Sequence, residues 1–350
     1  MKPDNPRLIC PLPELDFDVI TLGHGSGGLL TNQLLDEVIF KIFKNQYLEQ
    51  HHDGAIFNLN DKVACTTDSF VVNPIHFPGG NIGDLAINGT VNDLAMCGAY
   101  PRYITLGMIL EEGLPIDELW EILVSIKAAA DHAGVEIITG DTKVVEKGKA
   151  DRIFINTTGI GILHKEAGID VRNVVDGDAV IVSASLANHG MAILSKREGL
   201  AFESQITSDT RSVHQEVLGL LSSFGAYIHF MRDPTRGGVA TVLNELSKSS
   251  GLGVSLDEAG FPVKKEVLSA CELMGLDPLF VANEGVFIAV VKHSVASQCV
   301  DLLINDYNLK EATIIGHMTK EHPKKVVVNS LIGGRRVVNM LPGDQLPRIC

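Results

Sequence analysis

The chain is poor in aromatic side chains. They make up 5% of its 350 residues, which points to an aliphatic core and leaves few stacking platforms for single-stranded nucleic acid. A basic stripe is also missing. Lys and Arg number 29 against 43 Asp and Glu, a formal charge of -14, which disfavours long polyanions and anionic membranes. A small nucleotide is not excluded, because a divalent cation can bridge carboxylates to phosphates. The six cysteines, Cys10, Cys65, Cys97, Cys271, Cys299 and Cys350, include no CxxC pair, so neither a metal knuckle nor a redox pair is expected. His24, His76 and His189 have no zinc spacing. No run reaches membrane-spanning length, and Met1-Lys2-Pro3-Asp4-Asn5-Pro6 has no apolar signal core, so a cytoplasmic location is expected.

What is present suits a compact α/β protein. Hydrophobic residues make 45% of the chain, charged residues 21%, and there are 34 glycines, enough for two domains rich in tight turns. The expected organisation is an arm over 1–18, a first domain over 19–165, a second over 166–338 and a tail over 339–350. After the glycine cluster 23–28, apolar periodicity predicts a helix through Leu29, Leu34, Val38 and Ile42. Residues 61–68 read as a strand presenting Asp68. Asn81 is a candidate N-cap for a helix running to about Met96, with Asp84 three positions later. Pro115 opens another helix. Strands are expected over 135–141, 152–159, 179–183, 286–290 and 326–328, and helices over 189–197, 212–222, 239–246 and 295–303.

Several acids stand at element ends. Asp68 and Asp141 close strands, Asp93 lies near a helix end beside Asn92, and Asp233 starts a glycine-containing turn. Carboxylates gathered in a dry cleft need a cation, and Mg²⁺ with phosphates would supply one. Ordinary capping is the alternative for each. Asp84, Asn88 and Asn92 are spaced to share one helix face, which faces either a nucleotide cleft or a polar interdomain surface. The 23–28 cluster, including Gly27 and Gly28, is not a Walker A sequence; it either covers phosphates or acts as a hinge. Arg236-Gly237-Gly238 at a helix start offers an anion site. Lys143 either pairs with phosphate or is a solvated edge lysine, and Asn283-Glu284-Gly285 is either a turn or a polar catalytic loop.

Pro347-Arg348-Ile349-Cys350 closes the sequence. The prolines keep it extended, and ten such residues reach about 30 Å. A thiol there can be carried into a pocket as a substrate is; a chance surface cysteine is the alternative.

With these segments assembled, the chain closely resembles the hydrogenase-maturation carbamoyl dehydratases, the HypE family, of the aminoimidazole-ribonucleotide synthetase and selenophosphate synthetase superfamily. The segments are GHGSGG at 23–28, TTDS at 66–69, the run 77–99, the run 101–115, TGDTKVV at 139–145, RDPTRGGVA at 232–240, CELMGLDPL at 271–279, ANEG at 282–285 and PRIC. The resemblance implies a two-domain α/β (α+β) fold of the synthetase type, with first-domain sheets meeting across a homodimer and an outer second α/β domain. It implies ATP-dependent dehydration of an S-carboxamide on Cys350 to an S-cyanide. The carbamoyl group would come from the carbamoyltransferase HypF, and the cyanide would pass to iron on a HypC–HypD complex. By motif, Cys350, Glu284 and Lys143 are expected to be catalytic, and Gly27, Gly28, Asp68, Asn92, Asp93, Asp141, Lys143, Asp233 and Arg236 to bind ATP. Asp68, Asp93 and Asp233 would hold Mg²⁺. The chain end adds negative charge beside the thiol, so its activation is expected from the partner or from the docked pocket. Residues 1–18, with Cys10, and the run Gln50-His51-His52-Asp53 fall outside the shared pattern. An ATP-using synthetase acting on a small soluble substrate and a cysteine-presenting scaffold are the competing readings.

Overall fold

A computed structural model describes residues 17–25, 29–50, 55, 57–59, 61–200, 206–340 and 348–350. The expectations for Cys10, Gly27, Gly28, the run 51–53 and most of the arm and tail lie outside these residues.

The apolar period after residue 28 produces α1 (Leu29–Leu34), a π-helical turn over Leu35–Ile39 and α2 (Phe40–Phe43). Then come β1 (Val63–Phe70) and two short strands, β2 (His76–Phe77) and β3 (Gly80–Asn81). Helix α3 (Ile82–Met96) starts on a capping box: Asn81 accepts from the Gly83 amide and Asp84 accepts from the Asn81 amide. The chain continues through β4 (Ala99–Glu111), α4 (Ile116–Ala133), β5 (Glu136–Val145) and β6 (Ile153–Leu163). Gly134, in the left-handed region, ends α4.

Strand β4 was not among the expected elements. Pro101 and Gly107 interrupt its propensity, yet Ile104, Leu106, Met108 and Leu110 alternate onto one buried face. The sheet runs β1-β6-β4-β5, with only β4 and β5 parallel. One face packs against α3 and α4 through Ile104, Leu106, Ile153, Ile155, Leu85 and Ile122. On the opposite face, Ile109, Ile160 and Ile162 join none of the buried cores, and Ile109 is 42% exposed.

The second half contains β7 (Ala179–Val182), α5 (Asn188–Arg197), α6 (His214–Phe224), β8 (Ile228–Arg232), α7 (Gly238–Ser250) and β9 (Gly253–Asp257). It continues with α8 (Lys265–Met274), β10 (Ile288–Val291), α9 (Ala296–Asn305), β11 (Thr313–Thr319), β12 (Val326–Asn329) and β13 (Arg335–Val338). They form a seven-stranded sheet, β13-β12-β9-β11-β7-β10-β8. Both its faces are buried. Val180, Val182, Ile288 and Val290 meet Leu243 and Leu246 of α7, while Ala179, Ile181, Ala289 and Val291 meet α6 and α9.

The two sheets are joined along α3. Ala95 and Met96 enter the core of α6. Asn88 donates to Thr210 Oγ1, and Asn92 donates to the carbonyls of Arg211 and Glu284 while accepting the Val213 amide. The Asn88–Asn92 part of the polar stripe therefore meets loop 208–213 of the second half, the interdomain alternative, while Asp84 caps its own helix. No helix among the described residues is long and apolar enough to cross a membrane.

Candidate active site

Alternation along β1 places Thr66, Asp68 and Phe70 toward α3. Asp93, one turn before the end of α3, accepts a 2.7 Å hydrogen bond from Thr66 Oγ1. Asp233 follows the last residue of β8 and leads into the turn that starts α7. That turn requires its glycines. Gly237 and Gly238 have φ of +68° and +60°, and a Cβ on Gly238 would lie 2.5 Å from the Leu279 carbonyl. Arg236 is thereby held at the cavity wall.

These residues surround one cavity of about 470 Å³. Its lining includes Asp68, Asp93, Asp233, Arg236 and Glu284, and also Cys350. The sequence expectation thus brings four acids, one guanidinium and the tail thiol to one place. Arg232, Thr241 and Glu245 line it too and carried no signal of their own.

The electrostatics follow from exclusion of water. Burial raises the carboxyls of Asp68 and Asp93. Burial and then Asp93 push Asp233 up to about 7. Glu284, 2% exposed, is raised well above its usual range, first by burial and then by Asp233 and Asp209. Its Oε1 is sealed from solvent without a hydrogen-bond partner. Asp209, absent from the sequence expectation, accepts the Glu284 amide at 3.1 Å and fixes that loop.

Cys350 lines the site, and Arg348 and Ile349 anchor it from outside the cavity. The Cys350 and Arg348 carbonyls accept the Val71 and Asn73 amides at 3.1 and 3.3 Å, just beyond the end of β1. Ile349 is 4% exposed and joins the first core, a burial worth about 2 kcal/mol. The Arg348 guanidinium donates to the Val71 carbonyl, pairs with Asp151 and lies over the Phe154 ring. Burial, then Glu284 and Asp68, push the Cys350 thiol up to about 12. Of the two expected sources of thiol activation, the partner and the docked pocket, the pocket works the other way: its acidic, dry walls favour the protonated sulfur.

Three expected residues lie elsewhere. Asn92 is 1% exposed and commits its amide to backbone groups, so it braces the Glu284 loop instead of lining the cavity. Asp141 and Lys143, 2.6 Å apart and exposed, line a separate hollow on the opposite face of the first sheet with Ile109, Phe154 and Asn156.

Residues 51–163 match the N-terminal domain model of AIR synthase related proteins, and residues 175–329 match the C-terminal domain model. The carbamoyl dehydratase HypE of Rhizobium leguminosarum bv. viciae is 47% identical over 335 residues, which is 95% of this chain and 95% of that protein. The chain belongs to the HypE family of carbamoyl dehydratases. A crystal structure of the hydrogenase maturation protein HypE in complex with ATP is 41% identical, with a TM-score of 0.90 over 94% of this chain and 99% of that one. A HypE–HypF complex contains a chain 44% identical, with a TM-score of 0.78 over 88% of this chain and 99% of that one. The fold is the two-domain AIR synthase type, and the chain is a hydrogenase-maturation enzyme.

The HypE-family cavity suits a hard cation bound together with phosphate. All four acids offer oxygen donors, and their repulsion is opposed by few cationic groups. Among the described residues no three His, Cys, Asp or Glu side chains form a ready-made metal cage. An open carboxylate set completed by a nucleotide's own oxygens is the usual arrangement for Mg²⁺.

Proposed function

We propose that this chain uses ATP to dehydrate an S-carboxamide carried on Cys350 to an S-cyanide. One observation carries the reading: Cys350 lines the same cavity as Asp68, Asp93, Asp233 and Glu284. Related HypE proteins named for carbamoyl dehydration, and one in complex with ATP, support it.

An amide oxygen leaves poorly. Transfer of the γ-phosphoryl group to that oxygen lets it depart as phosphate. Loss of both nitrogen protons then leaves a carbon–nitrogen triple bond. Asp68, Asp93 and Asp233 would hold Mg²⁺, which supplies charge neutralisation at the phosphates. Arg236, beside the amides that open α7, would face the phosphate oxygens. Glu284, once a bound cation offsets the neighbouring carboxylates and leaves it ionised, would accept a proton from the amide nitrogen. Asp209 holds the Glu284 backbone in place. Burial of Cys350 excludes water from the activated carbon.

Gly27 and Gly28 would cover the nucleotide. Asn92 would serve the nucleotide site from behind, through the Glu284 loop. Asp141 and Lys143 retain a role only if a second copy brings them to this cavity, because in their own chain they sit on the other face of the sheet. A homodimer formed over that bare face would bury Ile109, Ile160 and Ile162. The carbamoyl donor would be HypF, since a HypE in the HypE–HypF complex shares 44% identity. The HypC–HypD complex would receive cyanide for the iron of the [NiFe]-hydrogenase Fe(CN)2CO centre, in the cytoplasm. The arm, the two domains and the tail would divide at 18, 165 and 338.

Intact-mass spectrometry of the carbamoylated chain tests the reading. Addition of ATP is expected to remove one water from the C-terminal peptide. Unchanged mass with ATP consumed would overturn it.

A further inference from the structure

The Cys350 segment is gripped from both halves of the molecule. On one side its carbonyls accept the Val71 and Asn73 amides, just beyond the end of β1. On the other, α5 supplies two side chains. His189 Nε2 lies 2.9 Å from the Ile349 carbonyl. Arg197 Nη2 donates to the Arg348 carbonyl at 2.8 Å and also to the Asn73 carbonyl, the residue whose amide holds Arg348.

The histidine is set for this task. It is fully buried, against the edge of Phe77. Ser208 Oγ accepts the Thr210 amide, and Ser208 itself is tied by its amide to the Pro78 carbonyl. The Ser208 hydroxyl proton is thus available for His189 Nδ1, 2.7 Å away. With Nδ1 accepting, the ring proton stays on Nε2 and points at the Ile349 carbonyl. A neutral ring is consistent with burial, which pushes His189 down to about 4. This relay runs through residues 78, 208, 189 and 349, far apart in the sequence, and its last contact is to the residue before the thiol.

We propose that His189 and Arg197 are positioning residues that latch residues 348–350 at the cavity and so divide the Cys350 sulfur between a docked state and a state open to a partner. The inference rests on Cys350 being the carrier, but the latch has its own readout. In the docked state Cys350 is half-buried in an acid-lined cavity, so a reagent or a carbamoyl donor must meet it after release. Dehydration, in contrast, needs it docked. Weakening the latch should therefore affect the two half-reactions in opposite ways.

The experiment uses the full chain. Brief iodoacetamide labelling is followed by mass mapping of the Cys350 peptide, with Cys97, exposed at the end of α3, as the internal control. His189→Phe fills the space without a donor and is expected to raise Cys350 labelling about tenfold, the size of one lost buried hydrogen bond. His189→Gln, which keeps a donor near the Nε2 position, should return labelling to near the wild-type rate. Arg197→Met should raise labelling severalfold, and Arg197→Lys less. In the carbamoylated protein, His189→Phe should slow water loss on ATP addition while acceptance of the carbamoyl group is kept or quickened. Labelling as slow as wild type in both His189→Phe and Arg197→Met would overturn the latch, as would equal labelling of the Phe and Gln variants. If His189→Phe does not fold, the Arg197→Met and Arg197→Lys pair decides. A wild-type chain that loses no water with ATP removes the proposed function, whereas the labelling comparison still decides the latch.

Discussion

The two faces of the four-stranded sheet share one backbone and differ in what water does to their charges. On the face under α3, Asp68 and Asp93 meet Asp233 and Glu284, and burial raises every one of these carboxyls. On the bare face, Asp141 and Lys143 pair in solvent beside exposed Ile109. Alternation along the strands separates them: one residue's step from Asp68 to Ser69 passes from the acidic cavity to the other hollow. Charge stores reactivity only where solvent is kept out. The bare face leaves apolar area in solvent, where a second copy is proposed to pack.

The contrast can be broken most severely at the sulfur. Cys350→Ala should abolish both the carbamoyl mass gain and water loss while leaving ATP affinity nearly intact by calorimetry. A mutant that still gains the mass would remove the carrier from the covered face. Ile109→Asp puts a charge on the bare face and, in a two-fold dimer, does so twice. Sedimentation should show dimer affinity falling on the order of a thousandfold; an unchanged dimer would mean that this face is not the interface. Asp93→Asn should weaken Mg²⁺–ATP binding on the order of a hundredfold by calorimetry, as expected for loss of a charged contact worth about 2–3 kcal/mol. An equal loss from Asp141→Asn would bring the bare face to the nucleotide and merge the two regions.

The last effect concerns stability. Asp233 titrates at about 7 in the fold against an ordinary 3.8, so the folded chain holds that proton more tightly than the unfolded chain. The resulting penalty is absent below pH 4, grows between pH 4 and 7, and is complete above 7. Asp233→Asn should therefore stabilise the metal-free chain by about 4 kcal/mol at pH 8 and by nothing at pH 4, read from denaturant unfolding. A variant that is destabilised at pH 8 would show that the carboxylate is already compensated.

Much of the covered face was legible. Asp233 and Arg236 stand between β8 and α7 and Asp93 near the end of α3, where local pattern sets position, whereas Asp68 and Asp141 do not close their strands as expected, because β1 runs on to Phe70 and β5 to Val145. The polar stripe was legible only as two alternatives, because helix periodicity gives a face but not its neighbour. Strand β4 was hidden by Pro101 and Gly107, although its alternation is regular. The β8, β9, β11 and β13 strands and helix α8 were also unassigned, short stretches whose place depends on sheet partners. His189, Arg197 and Asp209 had no local signal at all. His189 meets Ile349 across 160 positions, and no periodicity records such a contact. Lys143 was legible as a polar residue beside a strand acid, but strand register decides which side of the sheet it occupies.

Asn92 has a last consequence. Its one amide ties α3 to the Arg211 and Glu284 carbonyls and to the Val213 amide, like a rivet through two plates. Opening the halves like a hinge would tear that joint and misplace Glu284. The two halves thus act as one fixed anvil, and this framework should superpose closely with and without nucleotide.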